Sequence, residues 1–226
     1  MKFATRLLAL LIAVPLIAAP PAWAQTMIPA AASQPSFVPG KSGEPFTVEA
    51  LLQGCGASDE FNGCSFYAEG VRWVVGSDAG SNEAALATMA ALPVNTPLII
   101  TGDQISMGDI TVEASVAKID PGNVDAYAQQ RADMQGKWLS QDDAQSTLEL
   151  IGSEETESYQ GQTVATSVVT FADSCPGGEP TGPVIYKQQM GGDPGELTCF
   201  ALVEVTATRM ELSYVGRGNT LVYIRS

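Results

Sequence analysis

Residues 209–225 read Arg209-Met210-Glu211-Leu212-Ser213-Tyr214-Val215-Gly216-Arg217-Gly218-Asn219-Thr220-Leu221-Val222-Tyr223-Ile224-Arg225. Two strand-forming runs, 209–214 and 221–225, flank Gly216-Arg217-Gly218-Asn219, where glycine and asparagine accept the positive φ of a tight hairpin turn. The same grammar runs back up the chain. Further strand candidates are 146–151, 163–171, 184–188 and 198–206, separated by Pro176-Gly177-Gly178 and Gly191-Gly192-Asp193-Pro194-Gly195. Short, evenly spaced strands with turns of this kind predict a small antiparallel barrel or sandwich over 136–226.

Upstream, 44–121 reads as a second unit. Strands are expected at 46–52, 65–68 and 71–75, the last two hinged at Glu69-Gly70. A helix follows at 81–92, with Ser81 as its N-cap, Glu83 in its first turn and Pro93 as its stop. Strands at 98–102 and 109–119 complete the unit. Asp120-Pro121-Gly122 then opens a short linker helix at about 123–135, capped by Asn123 and ended by Gly136. The order β-β-β-α-β-β resembles an OB-fold, a five-stranded barrel with its helix between strands three and four. This likeness is one of strand order alone.

The block 136–226 opens with Gly136-Lys137-Trp138 and closes with Tyr223-Ile224-Arg225. It resembles the calycin superfamily, the lipocalin-like and small protease-inhibitor barrels. The resemblance implies that Gly136 and Trp138 lie in the first strand, and that Arg225 from the last strand packs on the indole to close the barrel's bottom. Physically, an indole face accepts a guanidinium by cation–π stacking. The expected fold is mainly β: two small antiparallel barrels, OB-like with one helix and then calycin-like, joined by a short helix at 122–135.

The first 24 residues carry a different signal. Lys2 and Arg6 precede an apolar run from Leu7 to Ala19, and Ala22-Trp23-Ala24 forms a small-x-small cleavage site. This is the pattern of a secretory signal peptide cut near Ala24. The run is too short, and too broken by Pro15, Pro20 and Pro21, for a stable membrane anchor. Loss of Lys2 and Arg6 leaves 9 basic against 25 acidic residues, net −16. Residues 25–43, rich in Pro, Ala and Ser, read as a flexible leader. In an exported chain the four cysteines predict two disulfides, and local pairing within each unit selects Cys55–Cys64 and Cys175–Cys199. A zinc site would need tighter thiolate spacing or histidine partners, so no metal is expected.

Charge and composition exclude several functions. The 226-residue chain has 11 Lys and Arg, 25 Asp and Glu, and no histidine, which removes His-based triads and the commonest general base. Within 44–121 there are 2 basic residues, Arg72 and Lys118, against 11 acidic ones, so the cationic groove that oligonucleotide binding requires is missing and no nucleic-acid partner is expected. Ser115-Val116-Ala117-Lys118 matches the Ser-x-x-Lys of penicillin-interacting enzymes, but it lies in a predicted strand whose positions 115 and 118 point to opposite faces, so it is read as coincidence. Asp142-Asp143 reads as a solvated turn, and Glu154-Glu155-Thr156-Glu157 as a solvated acidic loop tip. Tyr67, Trp73 and Tyr186 read as core or half-buried packing.

The most specific candidate binding segment is the turn carrying Arg217 and Asn219, where a guanidinium presents five donors to an anion. No catalytic residue and no cofactor is expected. The reading is an exported, non-enzymatic binding protein of the bacterial periplasm or cell envelope, with an unspecified protein or small-molecule ligand. Two alternatives stand beside it. One is an inhibitor of a secreted hydrolase that uses the 25–43 leader. The other is a carboxylate-dependent hydrolase, which would need an open pocket with converging Asp or Glu side chains.

Overall fold

The computed structural model describes residues 38–57, 62–108, 111–193 and 196–226. The expected signal segment 1–24, the leader up to residue 37, the tip of the Cys55–Cys64 loop and the start of the strand expected from Asp109 lie outside the described residues.

Strands β1 (Glu44–Ala57), β2 (Asn62–Ala68), β3 (Val71–Val75), β4 (Pro97–Met107) and β5 (Thr111–Pro121) close a five-stranded barrel in the order β1-β2-β3-β5-β4. All neighbours are antiparallel except β3 and β5, which run parallel with Trp73 opposite Val112. That parallel pair follows from the intervening helix α1 (Glu83–Ala90) and β4, which carry the chain away and back. Inside, Leu52, Phe66, Met89, Leu98, Ile100, Val112, Ala114 and Val116 are almost wholly buried. Trp73 stacks on Phe66 with ring centroids 5.8 Å apart.

The helix begins one residue later than expected. Asn82, not Ser81, is the N-cap: its side chain accepts from the amides of Ala84 at 2.9 Å and Ala85 at 3.2 Å. The Ser81 hydroxyl is used instead by β5, accepting from the Val116 amide at 3.0 Å. At the barrel's end the buried Asp103 carboxylate accepts from the amides of Gly40 (2.8 Å) and Ser42 (2.9 Å), which fixes the last residues of the leader.

The linker helix is shorter than expected. Helix α2 spans Ala128–Met134, and Asn123 does not cap it but donates to Glu49. Asp125 holds the approach, accepting from the Tyr127 amide at 3.0 Å, and that turn delays the helix.

The second unit closes as eight antiparallel strands: β6 (Gly136–Ser140), β7 (Ser146–Ile151), β8 (Glu154–Tyr159), β9 (Gln162–Ser174), β10 (Thr181–Gln189), β11 (Leu197–Val205), β12 (Arg209–Tyr214) and β13 (Thr220–Arg225). Each strand pairs with the next, and β13 returns to β6 with Arg225 opposite Trp138 and Tyr223 opposite Ser140. The expected solvated tip at Glu154–Glu157 is instead strand β8, paired on both sides. Its Glu155 is fully buried.

One end of this barrel is plugged. Trp138 is fully buried, and the Arg225 guanidinium lies 3.8 Å from its ring centroid. The indole N–H donates to the Met134 carbonyl at 2.7 Å. Arg225 also donates to the carbonyls of Asp133 at 2.8 Å, Ala207 at 3.2 Å and Gln135. Gly136 sits at φ +94°, and a Cβ there would stand 3.1 Å from the same guanidinium. So the three residues singled out at the ends of the block form one closure, with α2 laid across it.

The barrels meet at this plugged end. Gln53 of β1 donates to the Ile151 carbonyl at 2.8 Å and accepts from the Ser153 amide at 2.9 Å. The Tyr67 hydroxyl donates to Glu154 at 2.8 Å, and Arg72 lies 3.5 Å from the same carboxylate. Burial and then the Glu154 charge push the Tyr67 hydroxyl well above the usual tyrosine range, so it stays a donor.

The cysteines pair as Cys55–Cys64 and Cys175–Cys199, as expected. Two disulfides point to an oxidising, extracellular type of compartment. No helix among the described residues is long and apolar enough to cross a membrane.

Candidate functional site

Strand alternation determines what lines the eight-stranded barrel. On β10, Ile185 and Lys187 share the inward face; on β8, Glu155 and Glu157 do. Towards the plugged end the interior is apolar, with Trp138, Leu150, Ile185, Leu202 and Met210. From the middle of the barrel, where Glu155 pairs opposite Leu150, to the other end it turns polar.

There the Lys187 ammonium contacts the Glu155 carboxylate and lies 3.6 Å from Glu157. Lys187 is 6% exposed and Glu155 0%. The ammonium also stands 5.0 Å from the Phe200 ring centroid. Three strands, β8, β10 and β11, therefore place two carboxylates, a cation and an aromatic face together. Beside them opens a cavity of about 220 Å³, lined by Lys187, Glu157, Ser167, Gln189, Thr198 and Phe200, with Asp193 and Glu196 from the β10–β11 turn.

The electrostatics follow from burial. Burial pushes the Glu155 carboxyl up; Lys187 pulls it back and Glu157 pushes it up again, and the net is upward. Burial alone would lower Lys187, but the charges of Glu155, Tyr223 and Glu157 outweigh it and hold the ammonium protonated above its ordinary value. Tyr223 is raised by burial, against the opposing pull of Lys187. The cluster thus holds a firmly charged cation beside a carboxyl that gives up its proton late. No protein-family model, curated protein or solved structure matches the chain.

The other candidates from the sequence sit elsewhere. Arg217 and Asn219 lie exposed on the β12–β13 turn, with Arg217 over the Tyr214 ring at 5.2 Å and the Asn219 carbonyl accepting from the Tyr214 amide at 2.7 Å. This turn and the β10–β11 turn lie at the same end of the barrel, since β10 and β12 both run from the plugged end outward. Neither Arg217 nor Asn219 lines the cavity. Asp143 sits in the β6–β7 turn and accepts from the Gln145 amide at 2.9 Å, the turn role expected of it. Ser115 is buried and the Lys118 side chain is 61% exposed, so they do face apart.

The reading of the sequence missed Lys187 and Glu155. A signal was available for Lys187: it follows Ile185 by two positions in an expected strand, so it had to share the inward face. Glu155 was hidden because four consecutive polar residues read as solvent-facing when the partner strands are not known.

Proposed function

We propose that this is an exported, non-enzymatic binding protein of the bacterial periplasm or cell envelope. In this reading the polar end of the eight-stranded barrel takes a small polar ligand of neutral or positive charge. The observation that carries it is the cavity of about 220 Å³ opening onto the buried Lys187 ammonium and the Phe200 ring. Its size, below the usual ~300–1,000 Å³ of drug-sized pockets, favours a compact ligand. The Glu157, Asp193 and Glu196 side chains around Lys187 disfavour an anion and suit amine and hydroxyl groups. Arg217 and Asn219, on a neighbouring turn of the same end, are candidates for contacts to a larger ligand or a protein partner.

Two likenesses support a binding role. The strand order β1-β2-β3-β5-β4 with α1 before β4 is similar to an OB-fold, and the Gly136–Trp138–Arg225 closure is similar to that of calycin barrels. Both architectures serve mainly for binding. The signal-type first 24 residues and the disulfides support export. The inhibitor alternative would act through the 25–43 leader, which reaches the five-stranded barrel at Asp103.

One observation favours the hydrolase reading as a second: Glu155 and Glu157 stand side by side next to a cavity, one with its proton affinity raised. Native mass spectrometry of the protein recovered through its own export route separates the readings. Binding predicts a small non-covalent adduct that is lost in Lys187→Met. Unliganded protein that hydrolyses glycosidic or ester probes, and stops doing so in Glu157→Gln, would replace it with the enzyme.

A further inference from the structure

A second cavity, of about 270 Å³, lies between the barrels at the plugged end, away from Lys187. Its walls come from β1, β2, β4 and β9 and from the segment leading into α2. Arg131 of α2 lines it and is 5% exposed. A guanidinium carries five N–H donors. Here Nε donates to Asp125 at 2.9 Å, and no hydrogen bond from either Nη group is present among the described residues. Phe171 covers one face of the guanidinium, 4.6 Å from its centre. A face-stacked guanidinium offers its edge, and the edge left over is the two-pronged Nη side that fits a carboxylate bidentately.

The Nη donors are not sealed among protein atoms but open onto the cavity, so a cation held in place by Asp125 and Phe171 presents them to whatever enters, and an anionic group is what they fit. Yet the other charged groups of this cavity are acidic. Asp125 is engaged by Arg131, Glu49 accepts from Asn123, and Glu69 stands on the β2–β3 turn. A simple anion would be repelled by them. A ligand with a carboxylate at one end and a cationic group at the other matches both. The wall between is apolar: Leu98, Val169 and Phe171. We infer that the inter-barrel cleft is a binding site for a small zwitterionic amino-carboxylate with an apolar side chain, its carboxylate on the Arg131 Nη edge and its ammonium towards Glu69 and Glu49. This site is independent of the one at the polar barrel end.

The test is a ¹H–¹⁵N NMR titration of the disulfide-bonded protein with L-leucine. Two half-ligands run beside it: 4-methylpentanoate, which lacks the ammonium, and 3-methylbutylamine, which lacks the carboxylate. L-leucine should give saturable shifts at the Arg131 Nε–Hε signal and at Phe171, with Lys187 and Phe200 unmoved. Each half-ligand should bind at least about tenfold more weakly, the loss of one charged contact. Arg131→Lys, which keeps the charge but not the fork, should weaken L-leucine by about tenfold or more. Glu69→Gln, on an exposed turn where folding is not at stake, should weaken L-leucine severalfold and leave 4-methylpentanoate unchanged. The inference is overturned if millimolar L-leucine leaves Arg131 and Phe171 unshifted. It is also overturned if the half-ligands bind as well as L-leucine, or if Glu69→Gln and a folded Arg131→Lys both bind it as wild type does. Shifts confined to Lys187 and Phe200 would reject this site while supporting the other.

Discussion

Replacing Lys187 by methionine keeps the length of the side chain and removes the charge. In the wild type this ammonium is the cation facing Glu155, which is 0% exposed. Removing one partner of a buried ion pair typically costs about 3–5 kcal/mol, because the remaining charge has neither water nor a counter-ion. That cost should depend on pH in a definite direction. Glu155 is already raised by burial, and without Lys187 it rises further, so it takes up a proton and escapes most of the penalty in acid. The loss in Lys187→Met should therefore be larger at pH 8 than at pH 5, by at most about 1.4 kcal/mol per pH unit for one proton. The double variant Lys187→Met/Glu155→Gln should recover stability relative to Lys187→Met alone. Denaturant unfolding at both pH values gives the numbers, and in a Trp73→Phe background made without residues 1–24, and so without Trp23, the fluorescence of Trp138 reports the eight-stranded barrel alone. A cost below about 1 kcal/mol at pH 8, the size of a surface pair, would refute the buried-pair account. So would a double variant no better than the single one. In the wild type, the raised Lys187 and Tyr223 contribute stability that is intact below their ordinary values near pH 10 and lost as pH rises through their higher folded values. Alkaline unfolding should set in there, and later in Tyr223→Phe.

Trp138→Ala should cost about 3–5 kcal/mol for a fully buried aromatic. Arg225→Ala should cost about 2–3 kcal/mol, since it loses charged hydrogen bonds as well as the ring contact, and a double-mutant cycle should be strongly non-additive. Expressed alone with its disulfide, 136–226 should unfold cooperatively with β-rich circular dichroism, because its sheet closes on itself; an unfolded fragment would make the two barrels one cooperative unit. Fluorescence titration with single-stranded DNA at low salt should show no saturable binding, given 2 basic against 11 acidic residues in 44–121; micromolar affinity would overturn the charge argument.

Most of the framework was legible in the sequence because turns are local. Gly216-Arg217-Gly218-Asn219 fixes a hairpin whatever surrounds it, and Asp120-Pro121-Gly122 marks the end of the first barrel. Trp138 and Arg225 were legible for a different reason: a closed barrel makes its first and last strands neighbours. What failed was local polarity read as exposure. Glu154–Tyr159 lacks the apolar alternation of a half-buried strand, because its inward residues are Glu155 and Glu157, and only Lys187, some thirty residues on, makes that tolerable. The cap at Asn82 and the late start of α2 were missed because neighbouring polar residues compete for the same amides, and tertiary partners such as Val116 and Glu49 decide which wins. The Arg131 cleft is built between two barrels, so its parts are distant in the chain.

The central claim is that the polar end of the eight-stranded barrel binds a small ligand. Its most direct test is an NMR titration that follows the Lys187 ammonium and the Phe200 ring while small amines and polyols, such as putrescine, choline and glucose, are added in turn. The account predicts that at least one gives saturable shifts at Lys187 and Phe200, leaves the Trp138 indole N–H unmoved, and loses its effect in Lys187→Met. Signals at Lys187 and Phe200 that respond to none of them, or a Phe200 response that is the same in Lys187→Met, would contradict it.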